Sequence, residues 1–153
     1  LSYLDPADNT KFVPHVLEPT FGLGRHVLAV LTKAYTEDEL GGEPRVFLKI
    51  PANLAPIKIA VFPLLKNKPE LVAKAREVFA TLKKEFGAVM FDDNGNIGKR
   101  YRRQDEIGTP FCVTVDFDTI EKDGAVTVRD RDTGKQERVA IKGLTFFLKE
   151  KLI

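Results

Sequence analysis

An apolar run followed at once by an amphipathic pattern constrains the fold of this chain more than any other feature. Residues 57–65 are rich in β-branched side chains, which is typical of a strand buried in a sheet. Pro69 then stands at a favoured first position of a helix, and apolar residues recur at three- and four-residue intervals until Gly87. A buried strand followed by a helix that packs one face on the sheet indicates an α/β fold.

The remaining patterns predict further strands and helices. We expect strands at residues 11–18, 89–91, 111–117, 125–130 and 136–141, and helices at residues 25–35, 97–107 and 144–152. Gly108 is expected to end the helix at residues 97–107, and the last two strands form a hairpin. This order predicts a sheet covered by helices that is mostly parallel, with an antiparallel hairpin at one edge.

Two prolines indicate a boundary between two units. Pro51 and Pro56 push the residues before them toward extended geometry and cannot donate to a ladder, so residues 50–56 are typical of a short stiff linker. Charge divides in the same place. Residues 1–54 carry 5 Lys/Arg against 7 Asp/Glu, whereas residues 55–153 carry 19 against 15, so the basic character lies in the second unit.

Composition excludes several classes of protein. The 153 residues are 43% hydrophobic and 30% charged, which excludes collagen, coiled coils and disorder and fits one globular domain with an additional segment. No apolar run approaches the roughly 18 to 20 residues that span a bilayer, and the first residues form neither a basic nor an apolar leader. We therefore expect a soluble, cytoplasmic protein without a membrane partner.

Cysteine, histidine and methionine are scarce. Cys112 is the single cysteine, which excludes an internal disulfide and a multi-cysteine zinc site, and we predict no metal site. Its apolar strand predicts a small core residue, and His15 and His26 are expected to be structural. The single methionine is Met90, so Leu1 is not a translational start, and we expect the chain to be a piece of a longer protein.

A glycine turn before the first predicted helix is a candidate phosphate site. Gly22 and Gly24 place a helix N-terminus beside the guanidinium of Arg25, an arrangement that binds phosphate. Taken alone the pattern favours a tight turn with an exposed arginine, because the rest of a P-loop or dinucleotide fingerprint is missing. Glu18 either receives an ammonium group or, as its residue type alone favours, is an ion-paired or helix-capping surface carboxylate.

A basic cluster is a candidate contact for nucleic acid. Lys99, Arg100, Arg102 and Arg103 surround Tyr101 on a predicted helix, a composition suited to phosphate contacts and base stacking. The alternative is an ion-paired, solvated helix face, because acidic residues follow at once.

Arginine and aspartate alternate at the end of a predicted strand, in residues 129–132. Arg129 and Arg131 supply bidentate donors that suit base edges, and Asp130 supplies an acceptor. A salt-bridged hairpin is an equal alternative for the same residues.

Several separate motifs resemble one known family. Residues 11–25 (KFVPHVLEPTFGLGR) resemble the third signature motif of class II aminoacyl-tRNA synthetases, in the form carried by the glycyl-tRNA synthetase family. Residues 55–64 and 95–111 resemble the anticodon-binding domain of the class IIa synthetases, and residues 115–119 and 128–133 are similar to its glycyl branch. The resemblance runs from about Phe12 to the C-terminus.

The resemblance implies a fold and a reaction. Residues 55–153 are expected to form an anticodon-binding domain, a five-stranded mixed β-sheet flanked by three helices. Residues 1–54 are expected to be the end of a class II catalytic domain, a strand and a helix, together with the linker. Full-length members attach glycine to its tRNA using ATP with Mg²⁺ and are homodimers, and their anticodon-binding domain holds no cofactor.

The resemblance also implies roles for single residues. Arg25, beside Gly22 and Gly24, matches the arginine that contacts ATP, and Glu18 matches the carboxylate that binds the amino group of glycine. Thr20 stands where many members have serine, so the hydroxyl of the glycine pocket is retained and a methyl group is added.

For this chain the expected function is recognition of the tRNA anticodon. Arg129 and Arg131 are expected to contact bases, with Asp130 and Asp118 as acceptors. Phosphate contacts are expected from the basic cluster: Lys99, Arg100, Arg102 and Arg103. No catalytic residue is expected, because the first and second signature motifs are absent, and we predict that this chain alone does not activate glycine.

Two alternatives to a glycyl synthetase stay open. One is a non-catalytic accessory protein that reuses the architecture to bind nucleic acid or a polymerase, and the match at Glu18 and Arg25 disfavours it. The other is a prolyl, threonyl or histidyl relative, which fits Glu18, Pro19 and Thr20 less well.

Overall fold

The structure is a computed structural model that describes residues 2–152. Its elements in chain order are β1 (Tyr3–Leu4), β2 (Lys11–Phe12), α1 (Leu23–Ala34), β3 (Tyr35–Leu40), β4 (Glu43–Leu48), β5 (Ile59–Pro63), α2 (Pro69–Phe86), β6 (Val89–Phe91), α3 (Ile97–Ile107), β7 (Phe111–Val115), α4 (Phe117–Glu121), β8 (Ala125–Asp130), β9 (Gln136–Ala140) and α5 (Ile141–Leu152). β1 pairs with β2 and β3 pairs with β4, both antiparallel. The remaining strands form one larger sheet.

This larger sheet has five strands in the order β6-β5-β7-β8-β9. β5 pairs parallel with both β6 and β7, whereas β7 with β8 and β8 with β9 are antiparallel. The predicted five-stranded mixed sheet with an antiparallel hairpin at one edge is thus confirmed. Only β6, β5 and β7 pair in parallel, so two of the four pairings are parallel and the expectation of a mostly parallel sheet was wrong.

Different helices cover the two faces of the sheet. On one face α2 and α5 cover the apolar side chains of β5, β7 and β8 and form the main core, with Ile59, Val61, Leu71, Val78, Leu82, Val113, Val126, Leu144 and Leu148 among its members. On the other face α3 covers a smaller cluster of Ala60, Phe62 and Cys112 through Ile97 and Tyr101. Because α3 is a single helix, it leaves the β8–β9 side of this face without a helical cover.

Local sequence signals explain why most element bounds match the prediction. Asn96 caps α3 by accepting a hydrogen bond from the backbone of Lys99, and Gly108 ends it in the left-handed region at φ 83°. A further short helix, α4, was not predicted. It begins at Phe117, which was expected to be the last residue of the strand at residues 111–117. Asp116 stops that strand because it forms a capping box with Thr119.

The strand predicted at residues 11–18 is wrong beyond its first two residues. Only Lys11–Phe12 is a strand, and residues 13–22 have no regular structure. Pro14 and Pro19 lack the N–H that a ladder needs, which outweighs the alternation of the side chains. The helix that follows begins two residues earlier than predicted, at Leu23.

A hairpin that the sequence analysis did not predict connects the two predicted units. β3 and β4 are joined by Gly41 and Gly42, both at positive φ, as a two-residue hairpin turn requires. β4 lies on α3, and the tip of the hairpin, at Leu40, approaches Gly134 in the β8–β9 turn. Residues 35–48, which lie in the first predicted unit, therefore pack against the second.

We expect Gly108→Ala to lower the free energy of unfolding by about 2 kcal/mol. Gly108 adopts φ 83°, and an added Cβ would lie 2.8 Å from Ile50 Cδ1 and 3.0 Å from the Leu48 carbonyl oxygen. Gly124→Ala is the control, since Gly124 has φ 60° but no atom within 4 Å of an added Cβ. Urea unfolding should show a larger loss of unfolding free energy for Gly108→Ala than for Gly124→Ala. Equal losses would mean that Gly108 is not packed closely against Leu48 and Ile50.

Candidate nucleic-acid interface

The side of the sheet beside α3 carries a row of polar side chains that is buried at Thr114 and Arg129 and exposed at the sheet edge. Thr114 lies opposite Thr127, Thr127 lies opposite Arg138, and Arg129 lies opposite Gln136. Alternation along the strands places these side chains on the face that α3 occupies, and Gln136 and Arg138 are exposed. We call this surface the β8–β9 face and define it as Thr114, Thr127, Arg129, Gln136 and Arg138.

Tyr101 of α3 borders the β8–β9 face. Its hydroxyl lies 2.7 Å from the Thr114 hydroxyl, and its ring packs edge-on against Phe62. The central guanidinium carbon of Arg129 lies 4.9 Å from the centre of the ring. Burial raises the pKa of the Tyr101 phenol, so it stays protonated at neutral pH. An aromatic ring beside a guanidinium is a combination on which unpaired bases stack.

A buried aspartate holds Arg129 in place. Nη1 and Nη2 of Arg129 each donate to one oxygen of Asp105 at 2.8 Å, and both side chains are buried. Burial by itself would lower the pKa of Arg129, but its hydrogen bonds to Asp105 and the charge of that carboxylate outweigh burial and raise it. Arg129 therefore carries a permanent charge in a fixed direction, and these bonds use two of its five N–H donors.

A cleft of about 180 Å³ opens where α3, β8 and the β3–β4 hairpin meet. We call it the α3 cleft, and it is lined by Leu40, Glu43, Pro44, Arg45, Gly98, Tyr101, Arg102, Asp105 and Arg129. Arg129 is thus buried in the sheet yet borders an open space. This lining offers an aromatic ring, fixed guanidinium donors and a carboxylate acceptor within one small volume.

The cations of the basic cluster separate into exposed and paired ones. Lys99 and Arg102 are exposed, and Arg102 has only a surface pair with Glu106 at 3.4 Å. Arg103 is half-buried and donates to Asp92 at 2.5 Å and to the Asn94 carbonyl at 2.7 Å. Lys99 and Arg102 are therefore the cations of α3 that face solvent most openly.

Arg100 does not lie on the surface, which corrects its expected contact with phosphate. It is 1% exposed, and its guanidinium donates to the backbone carbonyls of Pro63, Asp93, Asn94 and Gly95. Burial lowers its pKa, partly offset by the charges of Asp92 and Asp93. Arg100 ties the N-terminal half of α3 to the ends of β5 and β6, so its role here is structural.

Arg131 is also buried, which corrects its expected contact with a base. At 4% exposure it donates to the carbonyls of Ile50 and Gly108 and to the Asp132 carboxylate. Asp130 accepts hydrogen bonds from the backbone and hydroxyl of Thr133 and so closes the β8–β9 turn. The salt-bridged alternative describes Arg131 and Asp132, and Asp130 closes the turn through Thr133.

Asp118 lies away from the other predicted base contacts. It stands in the first turn of α4, after the carboxyl end of β7, and pairs with Lys122 at 2.7 Å. β7 and β8 are antiparallel, so Asp118 and Arg129 lie toward opposite ends of the sheet. The structure does not bring Asp118 to the α3 cleft.

The residues that resemble the third synthetase motif lie together at the start of α1. Gly22 is the N-cap of α1 without a side-chain cap, and its carbonyl accepts hydrogen bonds from the backbone of Arg25 and His26. Gly22, Gly24 and Arg25 are exposed, as are Glu18 and Thr20 in the irregular segment before them. The structure thus presents a helix N-terminus with a cation beside it, open to solvent.

Sequence reasoning missed several residues of the interface. Arg45, Gln136 and Arg138 were not identified, although the adjacent glycines of the β3–β4 turn were a local signal for the hairpin that carries Arg45. Asp105 follows the basic cluster in the sequence, where its residue type indicates only a neutralising charge. The long-range pairing of Asp105 with Arg129 has no signature in a single sequence.

Cys112 is buried on the sheet face under α3, at 1% exposure. Burial raises the pKa of its thiol far above the ordinary value, so it carries no thiolate at neutral pH. The prediction of a small core residue is confirmed. Across residues 2–152, no helix is both long and apolar enough to cross a membrane.

The mixed sheet, its helices and the small polar cleft beside α3 define an α/β domain with a candidate nucleic-acid interface. The sequence model of the family described as "Anticodon binding domain" matches residues 58–151. The chain belongs to this family. The matched range begins just before β5 and ends within α5, so it contains the whole five-stranded sheet.

Similar proteins extend over the whole chain. A glycine–tRNA ligase of Thermobifida fusca is 52% identical over 157 residues, which cover 99% of this chain and 33% of that protein. Glycine–tRNA ligases of Thermus thermophilus and Clostridium acetobutylicum are 51% and 52% identical, over 99% of this chain and 32% of theirs. The resemblance to the glycyl branch is confirmed, and the chain spans about a third of the length of these curated relatives.

Proposed function

We propose that the β8–β9 face and the α3 cleft bind the single-stranded anticodon loop of tRNA. The observation that carries this proposal is Arg129, held by Asp105 and stacked near Tyr101 at the border of the cleft. Unpaired bases are recognised on aromatic or guanidinium planes and by donors and acceptors at their edges. Of the residues predicted to contact bases, Arg129 is the one that lines the α3 cleft.

We further propose that Lys99 and Arg102 contact the phosphates of the same loop. Both are exposed on α3, and Arg102 also lines the α3 cleft. A cation at the border of a base-binding cleft neutralises the backbone while the bases enter. Arg103 contributes less, because Asp92 already neutralises it.

For the parent protein we propose the ligation of glycine to its tRNA with ATP and Mg²⁺, in a homodimer. The names of the relatives support this over an accessory protein or a synthetase of another specificity. Within it, residues 55–153 would be the anticodon-binding domain and residues 1–54 part of the catalytic domain.

The start of α1 supports the ATP part of this proposal. Free backbone N–H groups at a helix N-terminus and the Arg25 side chain suit a triphosphate, with Gly22 and Gly24 leaving room for close approach. Glu18 offers an exposed carboxylate for the ammonium of glycine, and Thr20 a hydroxyl nearby in sequence. Arg25→Ala in the full-length protein should therefore raise the KM for ATP in glycine-dependent pyrophosphate exchange.

The binding proposal is tested by anticodon exchange. The affinity of this chain for a glycine tRNA should fall about tenfold or more when one anticodon base is changed, which corresponds to about 1.4 kcal/mol. Arg129→Lys should abolish the difference, since a lysine cannot make the bidentate contact to Asp105. Equal affinity of the unchanged chain for both tRNAs would contradict the proposal.

A second test concerns the phosphate contacts. We expect Lys99→Ala and Arg102→Ala each to reduce the slope of log affinity against log salt by about one, with anticodon discrimination unchanged. Lys84→Ala is the matched control, because Lys84 is exposed on α2, behind the opposite face of the sheet. An equal loss of slope for Lys84→Ala would mean that adhesion is spread over the whole surface.

A further inference from the structure

The β3–β4 hairpin lines the α3 cleft with Leu40, Glu43, Pro44 and Arg45, and Arg45 is the cation among them. Arg45 is 8% exposed and lines the cleft although it lies outside the matched family range. On one side its Nε and Nη2 donate to the two oxygens of Asp38 at 2.8 and 2.6 Å. Its guanidinium also stacks 4.0 Å above the ring of Phe47. The hairpin itself thus fixes the direction of the Arg45 guanidinium.

The free end of Arg45 holds the carboxylate that orients Arg129. Nη1 of Arg45 lies 3.2 Å from Asp105 Oδ2, the same oxygen that accepts from Arg129 Nη2 at 2.8 Å. Nη1 also donates to the carbonyl of Arg131 at 2.7 Å, two residues beyond Arg129 on the same chain segment. Arg45 therefore contacts both the anchor of Arg129 and the backbone that follows it.

Charge alternates along this row, which is exposed at Asp38 and buried at its other members. Asp38, Arg45, Asp105 and Arg129 carry negative, positive, negative and positive charges, so the row is neutral as a whole. Buried charges of this kind keep their geometry only while every partner stays in place. Loss of Arg45 would leave Asp105 with Arg129 as its partner and would remove the contact that fixes this pair relative to the hairpin.

We propose that Arg45 is a positioning residue for anticodon recognition, which sets the direction of Arg129 through Asp105. This inference rests on the proposed function of the α3 cleft. It makes base discrimination depend on a hairpin that precedes the anticodon-binding family match. The N-terminal unit would then contribute to the specificity of the second unit through one hydrogen-bonded row.

The test compares Arg45→Met and Arg45→Lys in this chain. The affinity for an anticodon stem-loop of glycine tRNA and for one with a changed anticodon base should be measured at several salt concentrations. We expect both variants to lose about tenfold in affinity for the matching loop and nothing for the changed loop, with the salt slope unchanged. Arg45→Lys keeps the charge, but one ammonium group cannot replace the two-sided fork of a guanidinium.

Arg76→Met is the matched control, because Arg76 also stacks on a phenylalanine, 4.4 Å above Phe91, but lies on α2. Circular dichroism and an unfolding curve verify that each variant is folded at the temperature of the assay. Full discrimination by folded Arg45 variants, while the unchanged chain also discriminates, would overturn this inference alone. Absence of discrimination in the unchanged chain would overturn the proposed function and this inference together.

Discussion

Replacing Asp105 by alanine should lower the free energy of unfolding by about 4 kcal/mol. Asp105 is 3% exposed and accepts hydrogen bonds from both Arg129 and Arg45. Without its carboxylate the guanidinium of Arg129 stays buried with no anion beside it, and such an unpaired charge costs more than the pair contributed. Urea unfolding followed by circular dichroism measures the loss.

Glu106→Ala is the control for this prediction. Glu106 is the next residue of the same helix, and its pair with Arg102 joins two side chains that are 54% and 64% exposed. Exposed pairs of this type contribute little, so the change should stay within about 0.5 kcal/mol. A loss below about 1 kcal/mol for Asp105→Ala would show that Arg129 and Arg45 are not buried as the structure places them.

Arg100→Met should lower the free energy of unfolding by about 3 kcal/mol. The substitution keeps an apolar stem of similar length but removes the donors to four backbone carbonyls, including that of Pro63 at the end of β5. A buried carbonyl left without a donor loses its hydration and gains no replacement. The same unfolding experiment measures this loss.

Arg102→Met provides the comparison, since Arg102 lies two residues further along α3 and is exposed. Its unfolding free energy should change by less than about 0.5 kcal/mol, while its salt slope for tRNA should fall as described above. We therefore expect Arg100→Met to lose stability and Arg102→Met to lose a phosphate contact. Equal stability of the two variants would contradict the buried position of Arg100 and would mean that Arg100 is a surface cation.

The elements that the sequence predicted well are those with local signals at both ends. The strand Val89–Phe91 and the helix Ile97–Ile107 have the predicted bounds, because Gly87 stops the preceding helix and Asn96 and Gly108 cap the next one. The hairpin Tyr35–Leu40 with Glu43–Leu48 was missed because it is acidic and short of β-branched residues, and packing on α3 stabilises it.

The candidate site was predicted less well than the fold, for a physical reason. Spacing alone could have placed Arg100 on the buried side of α3, since it follows Ile97 by three residues and precedes Gln104 by four. The partners of Arg129 and Arg131 lie 24 and 81 residues away, at Asp105 and Ile50. The periodicity of the sequence does not indicate such long-range contacts. Residue type therefore predicted a charged site but not which of its arginines are exposed.

The most direct test of the account is to map where an anticodon stem-loop binds. Amide chemical shifts of the isotope-labelled chain should be followed while a glycine anticodon stem-loop is added. We expect changes in α3, at Tyr101 and along the β8–β9 face, and none on the exposed faces of α2 and α5. Changes centred on α2 and α5, with the α3 cleft unaffected, would contradict the proposed interface.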